Sequence, residues 1–243
     1  MNQMNVWGMT DIGLVRKENQ DAYVTAQHTA SGRTVGVVCD GMGGPAGGRV
    51  ASQIAVSVYL EELEKLLTAD QTPQQLLEAS AQAAALANQA IQAEAERREE
   101  CRNMGTTLVS AISYDGGVVV TNVGDSRAYH ITEDGITRIT KDHSLVESMV
   151  DRGDITAEEA RRHPSRNLIT RALGPDISAD CDGYICPMNA GEYLLLCSDG
   201  LVNTVTDQEM LFEVIHGDGR TPAWTGCWPS PSARARRTMS RPS

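Results

Sequence analysis

The stretch that most constrains this chain is Val35-Gly-Val-Val-Cys-Asp-Gly-Met-Gly-Gly-Pro-Ala-Gly-Gly48. An apolar run of strand character ends on Asp40, glycines and a proline crowd the next eight residues, and a helical pattern begins at about Arg49. A strand that ends on a carboxylate suits a hard cation, because the sheet fixes the backbone while glycines let ligands approach closely. The Gly41 carbonyl is expected to lie open beside the Asp40 carboxylate, so that one turn supplies two oxygen donors. A nucleotide-binding loop is a poorer reading of the same glycines. No Gly-Lys-Ser/Thr follows, and an acid at the head of the turn would repel phosphate.

The same logic recurs far along the chain. Tyr193-Leu-Leu-Leu-Cys-Ser-Asp-Gly-Leu201 is a second apolar strand that ends on Asp-Gly, at Asp199. Either one alone could be an ordinary turn, since Asp-Gly is among the commonest turn dipeptides. Two of them, distant in sequence, are what a shared metal site needs. Composition agrees: a net charge of −11 argues against nucleic acid and anionic membrane surfaces as partners and fits a protein that gathers carboxylates. The six cysteines form no Cys-x-x-Cys pair, and Cys39 and Cys197 fall inside apolar runs, so free thiols are expected. No apolar segment approaches the length of a membrane span, and the opening residues lack a signal pattern, so a soluble, cytoplasmic protein is expected.

Between these landmarks the periodicity alternates. Met9-Thr-Asp-Ile-Gly-Leu-Val-Arg-Lys-Glu-Asn-Gln-Asp-Ala-Tyr23 reads as a strand, a polar turn and a second strand. Val50, Ile54 and Val58, then Leu60, Leu63 and Leu67, recur at helical spacing. A second helix is expected to start at Thr72-Pro-Gln-Gln75, with Thr72 as cap and Gln75 closing a capping box. From Gly105 the pattern becomes that of three strands joined by short turns, read as an antiparallel meander through Val118–Val123 and Ala128–Ile131. Residues 142–174 are polar and broken by short helical pieces, and His143 and His163 read as capping or packing residues.

Asp40-Gly-Met-Gly-Gly44, the Arg16, Asn19 and Asp21 pattern, Gly124-Asp-Ser-Arg-Ala-Tyr129 and Ser198-Asp-Gly200 together resemble the bacterial metal-dependent Ser/Thr protein phosphatases of type 2C. The resemblance covers about residues 8–215, with its motifs in order. It implies an α+β fold, a four-layer α-β-β-α sandwich of two antiparallel sheets flanked by helices, with residues 142–174 as a flap. It implies a pair of Mn²⁺ or Mg²⁺ ions about 3.5–4 Å apart that generate a nucleophilic hydroxide. Asp40 would bridge both ions, the Gly41 carbonyl would complete one shell and Asp199 would bind the other ion. Asp21 would orient water from outside the shell, and Asp125 with Asp199 would hold a third ion. Arg16, which by itself reads as a surface arginine, would clamp the phosphoryl oxygens. The implied substrates are phosphorylated proteins, opposing a Ser/Thr kinase. Met42 stands where many eukaryotic members carry a histidine.

Beyond Ile215 the pattern breaks. Residues 216–243 hold two of the three tryptophans, four of the nine prolines and five arginines but one acid. The family's last metal-ligand Asp, in an Asp-Asn-(Val/Ile)-Thr motif, is missing. Triplets that start at the third base of each codon can encode that motif near residues 237–240. A one-nucleotide frame slip near 216–222 is therefore the expectation, against a disordered basic tail. Two readings of the whole chain stay open on sequence alone: an active phosphatase of residues 1–215, or a truncated, inactive relative that only binds phosphoproteins.

Overall fold

The structure, a computed structural model, describes residues 4–13, 18–28 and 30–216, with only the main chain at residues 45 and 46. It is an α+β fold with two antiparallel sheets. The larger sheet runs in the order β1 (Asp21–His28), β2 (Arg33–Met42), β4 (Leu108–Tyr114), β5 (Gly117–Val123), β8 (Asp182–Pro187), with the short β3 (Gly105–Thr106) on the end of β2. The smaller sheet runs in the order β7 (Gly135–Arg138), β6 (Arg127–Thr132), β9 (Tyr193–Cys197).

Side-chain alternation on the larger sheet decides what covers it. Val35, Val37 and Cys39 on β2, Leu108 and Ile112 on β4, and Val119 and Val123 on β5 share one core with α1 (Gly44–Leu66) and α2 (Pro73–Arg97). The intervening residues, Val109, Ala111, Val118 and Val120, form a second core with Ala128 of β6 and with Leu194 and Leu196 of β9. Strands covered on both faces are mostly apolar, and the few polar side chains of β4 and β5, among them Ser110 and Thr121, are buried and hydrogen-bonded. A third core lies on the far side of the smaller sheet, where Tyr129, Ile131, Leu195 and Cys197 meet Met210 of α6 (Asp207–His216).

Several expectations are met at residue level. Thr72 caps α2 with the full capping box to Gln75. Cys39, Cys101 and Cys197 are buried free thiols. The broken segment holds two short helices, α3 (Leu145–Asp151) and α4 (Ala157–Arg162). No helix among the described residues is long and apolar enough to cross a membrane.

Other expectations are corrected. Residues 4–13 form no strand, and Val6, Trp7, Met9 and Ile12 are exposed: an extended stretch without a ladder partner has nothing to hold it as one. α1 begins at Gly44, not near Arg49, and buries Ala51, Ala55 and Tyr59 most deeply, one position round from Val50, Ile54 and Val58. Small residues there let the helix lie close to the sheet. β2 continues two residues past Asp40, because Gly41 and Met42 pair with Thr106 and Gly105. The meander is incomplete. β4 and β5 form a hairpin, but β8 takes the free edge of β5, and β6 leaves for the other sheet to cover β5 from below.

Two buried polar groups tie the layers together. Tyr59 Oη lies 2.5 Å from Ser80 Oγ and 2.6 Å from Ser110 Oγ, and Ser80 Oγ donates to Thr121 Oγ1 at 2.6 Å, so one hydroxyl chain links both helices to β4 and β5. Arg33 is 2 % exposed and donates to the main-chain carbonyls of Thr68, Ala69, Gln71 and Ser113. Its guanidinium closes the α1–α2 connection onto the ends of β2 and β4. Replacing it with an apolar side chain of similar length leaves those carbonyls without a donor. Arg33→Met is expected to lower stability by about 3 kcal/mol, read as a lower urea midpoint at unchanged slope.

Candidate metal centre

The antiparallel register of β1 and β2 sets Asp21 directly opposite Asp40. Cross-strand partners project to the same face, so two carboxylates are forced side by side, an arrangement that like charges oppose. Asp199 arrives from the other sheet. It opens the short α5 (Asp199–Val202) just after β9, and its side chain and that of Asp21 both lie within hydrogen-bond reach of Asp40. Ser198 Oγ donates to Asp21 Oδ2 at 2.9 Å, which pins the start of α5 to the start of β1. Asp125 sits in the turn that carries the chain from β5 to β6, close enough to Asp199 to feel its charge. Asp21 and Asp199 thus lie beside Asp40, and Asp125 lies near Asp199.

Burial pushes the Asp40 carboxyl up to about 9, with the charges of Asp21 and Asp199 adding to the effect. Burial also raises Asp125, to about 7, again with help from Asp199 and Asp142. Arg127 offers little relief, because Asp142 holds it in a bidentate pair, with Arg127 Nη2 2.6 Å from Asp142 Oδ2. Among the described residues the site thus concentrates acceptor oxygens, an electrostatic condition that favours a cation.

Neighbouring residues that carry no charge hold the acids in place. Thr107, wholly buried, accepts from the Asp40 N–H through its Oγ1 at 2.9 Å and donates its own N–H to the Asp40 carbonyl at 2.9 Å. The same Oγ1 lies 2.7 Å from Ser126 Oγ, so one hydroxyl joins the strand of Asp40 to the turn of Asp125. Thr106 Oγ1 donates to the Asp40 carbonyl at 2.9 Å as well. The glycines of the opening motif serve close approach. A Cβ on Gly48 would sit 2.8 Å from the Gly41 carbonyl, so the first turns of α1 can lie against β2 only without side chains there. Gly41 is buried in this contact, its N–H donating to the Gln20 carbonyl at 3.1 Å, and it does not form the open turn expected from sequence. Thr106, Thr107, Ser126 and Ser198 were not singled out by sequence reasoning. Small hydroxyls beside an acid carry no pattern until the strands are paired.

The donor set is all oxygen, which suits Mg²⁺ or Mn²⁺ over zinc. Among the described residues no group of three or more His, Cys, Asp or Glu side chains closes around a single ion. Arg16, the expected phosphate clamp, lies outside the described residues, as do residues 217–243 where the last acid was sought.

Comparison with known proteins gives one consistent picture. A family model described as protein phosphatase 2C matches residues 15–217. The serine/threonine phosphatase stp of Listeria innocua is 38% identical over 204 residues, covering 83% of this chain and 79% of that protein. A crystal structure of a bacterial serine phosphatase superposes with a TM-score of 0.78 at 37% identity, covering 85% of this chain and 83% of that one. The catalytic domain of the phosphatase PstP, crystallised in complex with two manganese ions, superposes with a TM-score of 0.68 at 31% identity, covering 93% of this chain and 86% of that one.

The role of Thr107 is open to test. Thr107→Val keeps the shape of the side chain but removes the acceptor for the Asp40 N–H and the partner of Ser126. It is expected to lower the stability of the protein by about 2 kcal/mol, measured by urea unfolding. A neutral result would show that the two turns are held by something else.

Proposed function

The chain belongs to the protein phosphatase 2C family and is a Ser/Thr protein phosphatase, and from that premise we propose how its own residues perform the reaction and on what. The observation that carries the reading is the convergence of Asp21, Asp40 and Asp199 across two sheets. On this reading Asp40 and Asp199 would hold a pair of divalent cations, the Gly41 carbonyl would join them only by leaving its contact with Gly48, and Asp125 with Asp199 would hold a third. Manganese or magnesium bound there supplies the Lewis acidity that ionises the attacking water and offsets phosphoryl charge. Asp21, held in one orientation by Ser198, would orient the attacking water for in-line attack on phosphorus. Arg16 binds two phosphoryl oxygens and stabilises charge as it moves to the leaving serine or threonine oxygen.

The substrates on this reading are phosphoserine and phosphothreonine in proteins, set there by a Ser/Thr kinase that the enzyme opposes. Packing of α1 and α2 on one sheet and α6 on the other supports a four-layer α-β-β-α sandwich. Residues 142–174 form its flap. Leu173 exchanges both main-chain hydrogen bonds with Thr106, 2.9 Å each, which brings that segment beside Thr107. Free buried thiols support a reducing, cytoplasmic setting. We place the phosphatase domain at residues 1–215 and read 216–243, nearly all outside the described residues, as the product of a frame slip. The family match, which stops at residue 217, supports that boundary.

The full chain is expected to hydrolyse p-nitrophenyl phosphate only with added manganese, and Asp40→Asn is expected to abolish turnover. Hydrolysis that survives a chelator, or an active Asp40→Asn protein, would sink the reading. Manganese at a hundredfold excess over Kd should also stabilise the fold by about 2.7 kcal/mol, seen as a higher Tm that Asp40→Asn loses. A phosphoprotein-binding relative without turnover would show neither hydrolysis nor a manganese-dependent Tm. A version with the frame restored across residues 216–222 regains an acid and is expected to hydrolyse faster at low manganese. Equal rates would show that the acid is dispensable.

A further inference from the structure

His143 lies outside the set of acids, and from sequence it reads as a capping or packing histidine. In the structure it is 6 % exposed and grips the turn that carries Asp125. Its Nδ1 accepts from the Gly124 N–H at 3.1 Å, and its own N–H donates to the Gly124 carbonyl at 2.8 Å. Gly124 needs such a grip. The ladder of β5 ends at Val123, and Gly124 takes a φ of +105°, with space for a Cβ closed by Thr107 Cγ2 at 2.6 Å. Its amide thus faces away from any strand partner at the point where the chain changes sheets.

The far side of the ring is equally constrained. Nε2 lies 3.2 Å from Asp182 Oδ2 and 3.3 Å from Arg171 Nη1, so the ring edge meets a fixed ion pair. Asp182 is itself held by Arg171, whose Nη1 is 3.0 Å from Asp182 Oδ1, and it stands opposite Asn122 in the β5–β8 register. Main-chain bonds then fasten His143 to the segment beyond it, where the Thr170 N–H donates to the His143 carbonyl at 2.8 Å. A rigid ring is wedged between a fixed carboxylate on β8 and the peptide one residue before Asp125.

We propose that His143 is a positioning residue for Asp125: its Nδ1 accepts the Gly124 N–H and so holds the crossover turn with Asp125 beside Asp199. The inference rests on the reading of Asp125 as a cation ligand. Residues that orient metal ligands typically matter by ten- to a hundredfold in affinity, and the lever here is the hydrogen bond from the Gly124 N–H to the His143 ring.

Two substitutions separate this role from packing. The Oδ1 of an asparagine falls near the place of Nδ1, whereas a glutamine reaches the place of Nε2. Calorimetric titration of the full chain with manganese chloride is expected to show Asp125→Asn removing the weakest site. His143→Gln should weaken that same site about tenfold, while His143→Asn stays within about twofold of the unaltered protein. On the Asp125→Asn background His143→Gln should add nothing, because both act on one site. Equal losses from His143→Asn and His143→Gln, or a His143→Gln loss that persists in full without Asp125, would overturn the proposal. An Asp125→Asn protein that titrates like the unaltered chain would overturn the reading of Asp125 and this inference with it. A clear Asp125→Asn effect beside an inert His143→Gln would overturn the inference alone. Should His143→Gln fail to fold, hydrogen exchange on the unaltered protein decides: the Gly124 amide should exchange as slowly as the amides of β5, and exchange at the free-solvent rate would refute the grip.

Discussion

Asp21 and Asp40 face each other across an antiparallel pair, and Asp199 closes on the same point from the second sheet. Like charges at that range oppose the fold that brings them together. The rest of the molecule can be understood as the structure needed to hold them there. Two cores grip the larger sheet from both faces, so β2 cannot shift its register without turning Val35, Val37 and Cys39 out of the helix-facing core. The crowding shows in the Asp40 carboxyl, which burial and the charges of Asp21 and Asp199 push up to about 9.

The hydroxyls around the acids extend this reasoning. Thr107 ties the strand of Asp40 to the turn of Asp125, Ser198 ties α5 to β1, and His143 ties the same turn to β8. Each link joins segments that are far apart in the chain. A site assembled from four loops and strand ends would otherwise vary by more than metal coordination tolerates. The chain therefore uses short, neutral side chains with fixed partners, which add no charge to a region already rich in it.

Much of this was legible beforehand, and the reasons differ by element. The α2 start was readable because Thr72, Pro73 and Gln75 act locally, within one turn. Asp40 and Asp199 were readable because an apolar run that stops at an acid is a local pattern too. The meander was misread at Val123, since nothing in the residues of β5 tells whether the next strand lies beside it or beneath it. β8 pairs along the edge of β5 where a meander would put β6, and nothing local in either strand marks the exchange. The start of α1 was placed late, because glycines that look like a loop in one dimension are a close-packed helix end in three.

Sequence by itself determined which residue types could do chemistry: acids at the ends of apolar runs, an arginine near the start, and no histidine or cysteine set at ligand spacing. Those are properties of short segments, governed by local backbone preference and side-chain chemistry. Tertiary structure alone decided that the acids meet, that Thr107 and His143 hold them, and that Gly41 is buried against Gly48 rather than open. Such contacts depend on strand register and on which sheet each strand joins. Both are settled by burial of apolar surface summed over the whole fold, a quantity to which no single stretch of sequence holds the key.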